Sequence, residues 1–255
     1  MQVNTPMKFS LCLSIAAVWL LSGCGTINST EIESSEIHPL YELVGDSDSK
    51  VECIATFRHG QGGSDIGLTD GDAVSCTDGT VTVQMQAEQT FLSSTVEYHG
   101  TGLTYNPDEP NKVYTIQFTR ATRGETFRST GSLPKPMVIS SPVGATITKG
   151  NPITVSWPTA TSNGVVATVS YETNTGTPAG FSSSKAADSA GGLIIDEYEI
   201  SNSASLVQAK IRLTRDSSGL HDAAWGSRGT FSTSQFAETV IWFQTFTFPL
   251  LKQEL

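Results

Sequence analysis

Tyr114-Thr115-Ile116-Gln117-Phe118-Thr119-Arg120 places an apolar side chain at every second position, and the pattern returns in Val207, Ala209, Ile211 and Leu213. Period-two alternation marks a strand with one buried face and one polar face. The two runs share more than their period. Ile116-Gln117-Phe118-Thr119-Arg120 is followed by Gly124, and Ile211-Arg212-Leu213-Thr214-Arg215 by Gly219, so Ile-x-apolar-Thr-Arg-x-x-x-Gly occurs twice. A weaker echo pairs Gly71-Asp72-Ala73-Val74-Ser75 with Gly150-Asn151-Pro152-Ile153-Thr154. Accepting both echoes describes a duplicated β domain whose second copy carries an insertion, placed in the Gly-, Ser- and Ala-rich stretch from Asn174 to Gly192. Loops absorb such insertions at little entropic cost.

Short alternating runs also appear at Val81 to Met85, Ile153 to Trp157, Val165 to Tyr171 and Ile194 to Ile200. Gly, Pro, Asn, Asp and Ser separate them, and no stretch of eleven or more residues after residue 23 keeps apolar residues at helical spacing. The expected class is therefore all-β, as two tandem sandwiches. Gly131-Ser132-Leu133-Pro134-Lys135-Pro136 reads as the linker, because proline fixes φ and removes a ladder donor. The expected division is a signal over 1–23, an acidic flexible tether over 24–49, a first sandwich over 50–134 and a second over 135–250.

Charge limits the partners. The 255 residues carry 15 Lys and Arg against 25 Asp and Glu, a net charge of -10. A surface that acidic repels phosphate backbones, so nucleic acid is excluded as a general partner.

Lys8 precedes an apolar run from Phe9 to Leu21, too short to cross a bilayer at helical rise, and the run ends in Leu21-Ser22-Gly23-Cys24. These four residues resemble the lipobox of bacterial lipoproteins, which implies cleavage before Cys24 and acylation of its sulfur and its new amino group. Gly25 at the next position, in place of Asp, implies an outer-membrane destination by the rule of that family. The acidic stretch holding Glu31, Glu33, Glu36, Glu42, Asp46 and Asp48 then reads as a tether, although Ile37, Leu40, Tyr41, Leu43 and Val44 offer a first short strand.

Cys12 lies in the signal, and Cys24 carries lipid on this reading, which leaves Cys53 and Cys76. In an exported chain two remaining cysteines invite one disulfide, with two buried thiols as the alternative. Asp65, Asp70, Asp72 and Asp78 gather four carboxylates among glycines, either as a weak calcium loop or as ordinary hairpin turns. Their spacing fits neither the EF-hand nor the repeated nonapeptide pattern, and no cofactor is implied. Arg120 and Arg215 end equivalent strands and either bind an anion or bond local carbonyls and carboxylates. Ser182-Ser183-Ser184-Lys185 matches Ser-x-x-Lys, but so do Ser47 to Lys50 and Ser132 to Lys135, and none opens a helix.

Ile153-Thr154-Val155-Ser156-Trp157, with Pro142, Gly144 and Gly150, resembles the opening of an immunoglobulin-like or fibronectin-like domain. The two Thr-Arg strands, the Leu-Pro-x-Pro linker and Asp222-Ala223-Ala224-Trp225-Gly226-Ser227-Arg228-Gly229 together resemble a group of bacterial lipoproteins with two β domains and no assigned activity. The resemblance brings no activity with it; the lack of helical, metal and nucleophile motifs favours a non-enzymatic binding or structural module, anchored in the membrane through palmitate-type lipid, with an envelope protein or glycan as the expected partner. Two alternatives stand beside it. One is an envelope glycan hydrolase using Glu197 and Glu199, which alternate along one strand face; the other is an accessory subunit of an envelope assembly.

In Thr239 to Phe248 the even positions Val240, Trp242, Phe246 and Phe248 are expected to face the second core. Ile241 and Phe243 then lie on the outer face as interface candidates, covered by the first domain or by a partner.

Overall fold

The computed structural model describes residues 26–89, 95–109, 111–149, 151–173, 175–176, 178–195 and 206–244. The first half holds β1 (Ile27–Asn28), β2 (Ile37–Gly45), β3 (Lys50–His59), β4 (Ile66–Gly67), β5 (Ala73–Thr77), β6 (Thr82–Gln84), β7 (Gln86–Gln89), β8 (Val96–Thr104), β9 (Val113–Arg120) and β10 (Glu125–Ser132). The second holds β11 (Thr146–Thr148), β12 (Ile153–Ser156), β13 (Gly164–Thr173), β14 (Pro178–Ala186), β15 (Gly192–Ile195), β16 (Leu206–Ser218) and β17 (Thr230–Gln244). The all-β expectation holds, and the helical segments among the described residues are single 3-10 turns.

The Thr-Arg strands are equivalent. In the first half β9 lies between its hairpin partner β10 and β5, with β6 beyond; in the second, β16 lies between its hairpin partner β17 and β13, with β14 beyond. The facing layers correspond as well, β3 pairing with β8 and β12 with β15. Phe118 and Leu213 are fully buried at matching places in the two cores. The weaker echo fails: Gly71 leads into β5, which pairs with β9, whereas Gly150 precedes β12, which belongs to the opposite layer. A glycine-led turn before a strand is common to most hairpins and carries no positional information. Within the supposed insertion lies β14, a nine-residue strand paired along β13.

The two sandwiches are fused. The first six residues of β17 run parallel to Leu40–Gly45 of β2, so one continuous sheet runs β14-β13-β16-β17-β2-β3-β8-β7, with β11 also on β17. Phe231 of β17 enters the first core, and Ala237 and Ile241 enter the second. These odd positions share one side of the strand, so both cores lie on the same face of the long sheet. Trp225, in the 3-10 turn before β17, is fully buried in the first core, its ring 4.2 Å from that of Phe127. The first sandwich therefore takes two aromatic side chains from beyond the linker.

Two expectations need correction. The segment read as a tether over 24–49 is folded from the start of the described residues: Ile27 donates to Asp65 O at 2.9 Å, and β2 forms an inner strand of the sheet with Ile37, Tyr41 and Leu43 buried. Its acidic residues occupy turns and the outward positions of an alternating strand, and the short strand offered by Ile37, Leu40, Tyr41, Leu43 and Val44 is β2. The parity of β17 is also reversed. Ile241 is fully buried and Phe243 packs against the second core, whereas Val240 and Trp242 are 39% and 51% exposed. Phe246 and Phe248 lie outside the described residues.

Candidate functional site

Cys53 on β3 and Cys76 on β5 form a disulfide with Cα atoms 6.5 Å apart. It ties the two layers of the first sandwich through its core. Cys24, the residue expected to carry lipid, lies outside the described residues, as do Glu197 and Glu199.

The four candidate calcium carboxylates are not brought together. Asp65 lies 3.6 Å from Arg58 Nε and accepts from Val96 N; Asp70 accepts from the Thr30 hydroxyl. Asp72 accepts from Ala121 N at 2.9 Å beside Arg120. Asp78 pairs with Lys112 at 2.6 Å and accepts from the amides of Thr80 and Val81 within its own turn. Burial works to raise the Asp78 pKa, but the Lys112 ammonium and these hydrogen bonds outweigh it and hold the carboxyl well below the usual range. Among the described residues no group of three or more His, Cys, Asp or Glu side chains is placed to hold a metal ion.

Arg120 and Arg215 are both buried and take the carbonyl-and-carboxylate role. Arg120 donates to Ser29 O, Ile32 O and the Ser34 hydroxyl, with Asp72 Oδ2 3.6 Å from Nε. Arg215 donates to Lys135 O at 3.0 Å, Pro136 O at 2.9 Å, Pro158 O at 2.6 Å and Asp188 Oδ1 at 3.0 Å. Each guanidinium fixes the segment by which the chain enters its own sandwich. Both guanidiniums are buried and turned onto the protein's own oxygens, so neither presents an anion site.

The outer face of the long sheet carries the free chemistry. His99 of β8 is held between two carboxylates, Nδ1 2.8 Å from Glu52 Oε1 and Nε2 3.2 Å from Glu97 Oε2. Burial pushes the His99 pKa down, yet the hydrogen bonds to Glu52 and Glu97 and the charges of Glu52 and Glu88 overcome it and raise the pKa. Glu42, on the same face, is raised by burial first and then by Asp216, Glu52 and Glu97. A groove of about 410 Å3 nearby is lined by Val44, Glu52, Thr101 and Phe236, and the Arg212 guanidinium stacks 3.7 Å over the Phe236 ring. At the junction of the sandwiches a second cleft, of about 300 Å3, is lined by Tyr105, Met137, Ile139, Val143 and Thr239. The Tyr105 hydroxyl is buried there and unpartnered among the described residues.

Sequence reasoning placed the disulfide and both arginines. It missed the His99 pair of carboxylates, whose members come from different strands and meet only through register. Three Ser-x-x-Lys matches fall on the edge strand β14, the β2–β3 turn and the end of β10, none of them a nucleophile elbow.

No family profile matches the sequence, and no curated protein matches it. Solved structures do match over most of the chain. A cytokine receptor complex is 12% identical over 75% of this chain and 96% of that one, with a TM-score of 0.26. A titin fragment is 11% identical over 82% of this chain and 100% of that one, at 0.24. A tandem of titin Ig domains is 8% identical over 82% of this chain and 96% of that one, at 0.25.

Proposed function

We propose that the chain is a lipid-anchored protein of the bacterial outer membrane, held by an acylated Cys24, whose fused sandwiches serve as a rigid binding or structural module for an envelope protein or glycan. The resemblance of Leu21-Ser22-Gly23-Cys24 to a lipobox motivates the anchor. The fold begins close behind it, since Ile27 is already paired to Ile66 across β1 and β4. Three residues of extended chain reach about 10 Å. A lipid on Cys24 would therefore hold the folded body directly against the membrane, not at the end of a long stalk.

The shared strand β17 supports the module reading. Two sandwiches joined by one continuous sheet keep a fixed relative orientation, and the outer face they present is a single surface. Replacing Cys24 by Ala tests the anchor: palmitate labelling should be lost and the protein released from sedimented membranes. Labelling that survives the substitution removes the proposal.

A further inference from the structure

In a chain with 25 acidic and 15 basic side chains, one cleft is lined, among the described residues, by two arginines and by no carboxylate. It opens on the outer face where β2, β3 and the turn into β17 meet, with a volume of about 440 Å3. His38, Arg58 and Arg228 line it, with the Gly60–Gly62 turn and Ser227 completing the wall. His38 and Arg58 are direct cross-strand partners.

Both arginines keep donors free. Arg58 is 39% exposed, and Asp65, 11% exposed, lies behind it, 3.6 Å from Nε without a hydrogen bond. Arg228 is held by carbonyls, Nε on Trp225 O, Nη1 on Ser34 O and Nη2 on Ala224 O. Those three bonds fix the side chain and leave its charge unneutralised. A guanidinium has five donors, and pairs of guanidiniums suit the several acceptor oxygens of a phosphate better than a lone carboxylate does.

The backbone around the cleft is fixed by glycine. Gly60 and Gly62 have φ of 70° and 78°, left-handed values that other residues rarely adopt. A Cβ at Gly229 would lie 1.8 Å from Pro39 O, so the turn can approach β2 this closely only without a side chain. The cleft is also close to the amino terminus. Ile27 donates to Asp65 O, and the same Asp65 backs Arg58.

We propose that this cleft binds a phosphate ester, and that in the cell the phosphate is that of an anionic lipid headgroup. The phosphate chemistry stands on the cleft alone. The lipid source rests on the proposed acylation of Cys24, which would bring the cleft to the headgroup layer.

The test uses full-length protein in non-ionic detergent, titrated calorimetrically with glycerol 3-phosphate and, as an uncharged control, glycerol. Saturable binding of glycerol 3-phosphate but not glycerol is expected. Ser227→Asp, at an exposed position, and Arg58→Gln should each weaken it about tenfold, as expected for one unit charge changed at close range. Ser183→Asp, on the distant edge strand β14, should leave it unchanged. Absence of saturable binding, or binding that neither Ser227→Asp nor Arg58→Gln diminishes, overturns the site. For the source, the unacylated Cys24→Ala protein is floated with vesicles of phosphatidylcholine with or without phosphatidylglycerol. Preference for phosphatidylglycerol that glycerol 3-phosphate competes away supports the headgroup. Glycerol 3-phosphate binding without vesicle preference overturns the lipid source and assigns a soluble phosphate ester. Failure of the anchor would show only in palmitate labelling of the wild type, so the two failures are separable.

Discussion

Arg215 and Asp188 close a buried two-point contact, Nη2 donating to Oδ1 at 3.0 Å and Nε lying 2.9 Å from Oδ2, off-line for a second hydrogen bond. Arg120 and Asp72 are the counterpart in the first sandwich, but their Nε to Oδ2 distance is 3.6 Å and Asp72 spends Oδ1 on Ala121 N. The duplicated Thr-Arg motif is thus a duplicated anchor, tighter in the second copy.

Removing one partner of a buried pair leaves the other charged and poorly solvated. Asp188→Asn should therefore cost about 3 to 5 kcal/mol of stability. Asp72→Asn should cost less, because Asp72 stands 3.6 Å from Arg120 Nε with no hydrogen bond between them and keeps its Oδ1 contact with Ala121 N. Urea denaturation of both variants checks the order, and equal losses would contradict it.

The disulfide closes a loop with a sequence separation of 23. Loop entropy assigns such a link roughly 3 kcal/mol, most of it through the unfolded chain. Replacing both Cys53 and Cys76 by Ala should lower stability by that order. The intact mass of protein purified without reductant should rise by two hydrogens on reduction; two thiols open to alkylation without reductant would refute the pairing.

Period-two alternation made the strands around Phe118 and Leu213 readable, since each has one apolar face only. The same rule failed at β17, where Val240, Ile241, Trp242 and Phe243 are apolar on both faces and parity cannot be read from polarity. At β2 the phase of Ile37, Tyr41 and Leu43 points to a strand, and it is the acidic composition around it that suggests a tether. The cationic cleft was not readable at all. His38, Arg58 and Arg228 are far apart in sequence, and only the parallel pairing of β17 with β2 brings the third to the first two.

His99 gives a pH dependence of definite sign. Its pKa in the folded protein lies above the ordinary 6.5, so its contribution is fully present below 6.5 and is lost as pH rises through the folded value. Glu42, also raised, acts in the same direction in a more acidic window. His221, lowered by burial, acts oppositely, its contribution being lost as pH falls. Urea midpoints of the wild type should fall between about pH 6 and about pH 8, and His99→Gln should flatten the fall. An unchanged slope in His99→Gln would remove His99 as its source.

Trp225 gives the sharpest test of the fused architecture, because by sequence it belongs to the second repeat and by packing to the first core. It stacks on Phe127 and lies 6.2 Å from Phe118, and both are residues of the first sandwich. Truncating a buried tryptophan costs about 3 to 5 kcal/mol, so Trp225→Ala should destabilise the full chain by that order. Hydrogen exchange then locates the damage: amides of β9 and β10 should lose protection more than those of β12 and β15. A fragment covering 50–134 alone lacks β2, Trp225 and Phe231, so it leaves part of its core open to water. That fragment should show no cooperative thermal transition, whereas a chain from Thr26 onward should unfold as one unit. Independent folding of 50–134, or protection lost first from β12 and β15, would show that the sandwiches are autonomous and that β17 merely touches both.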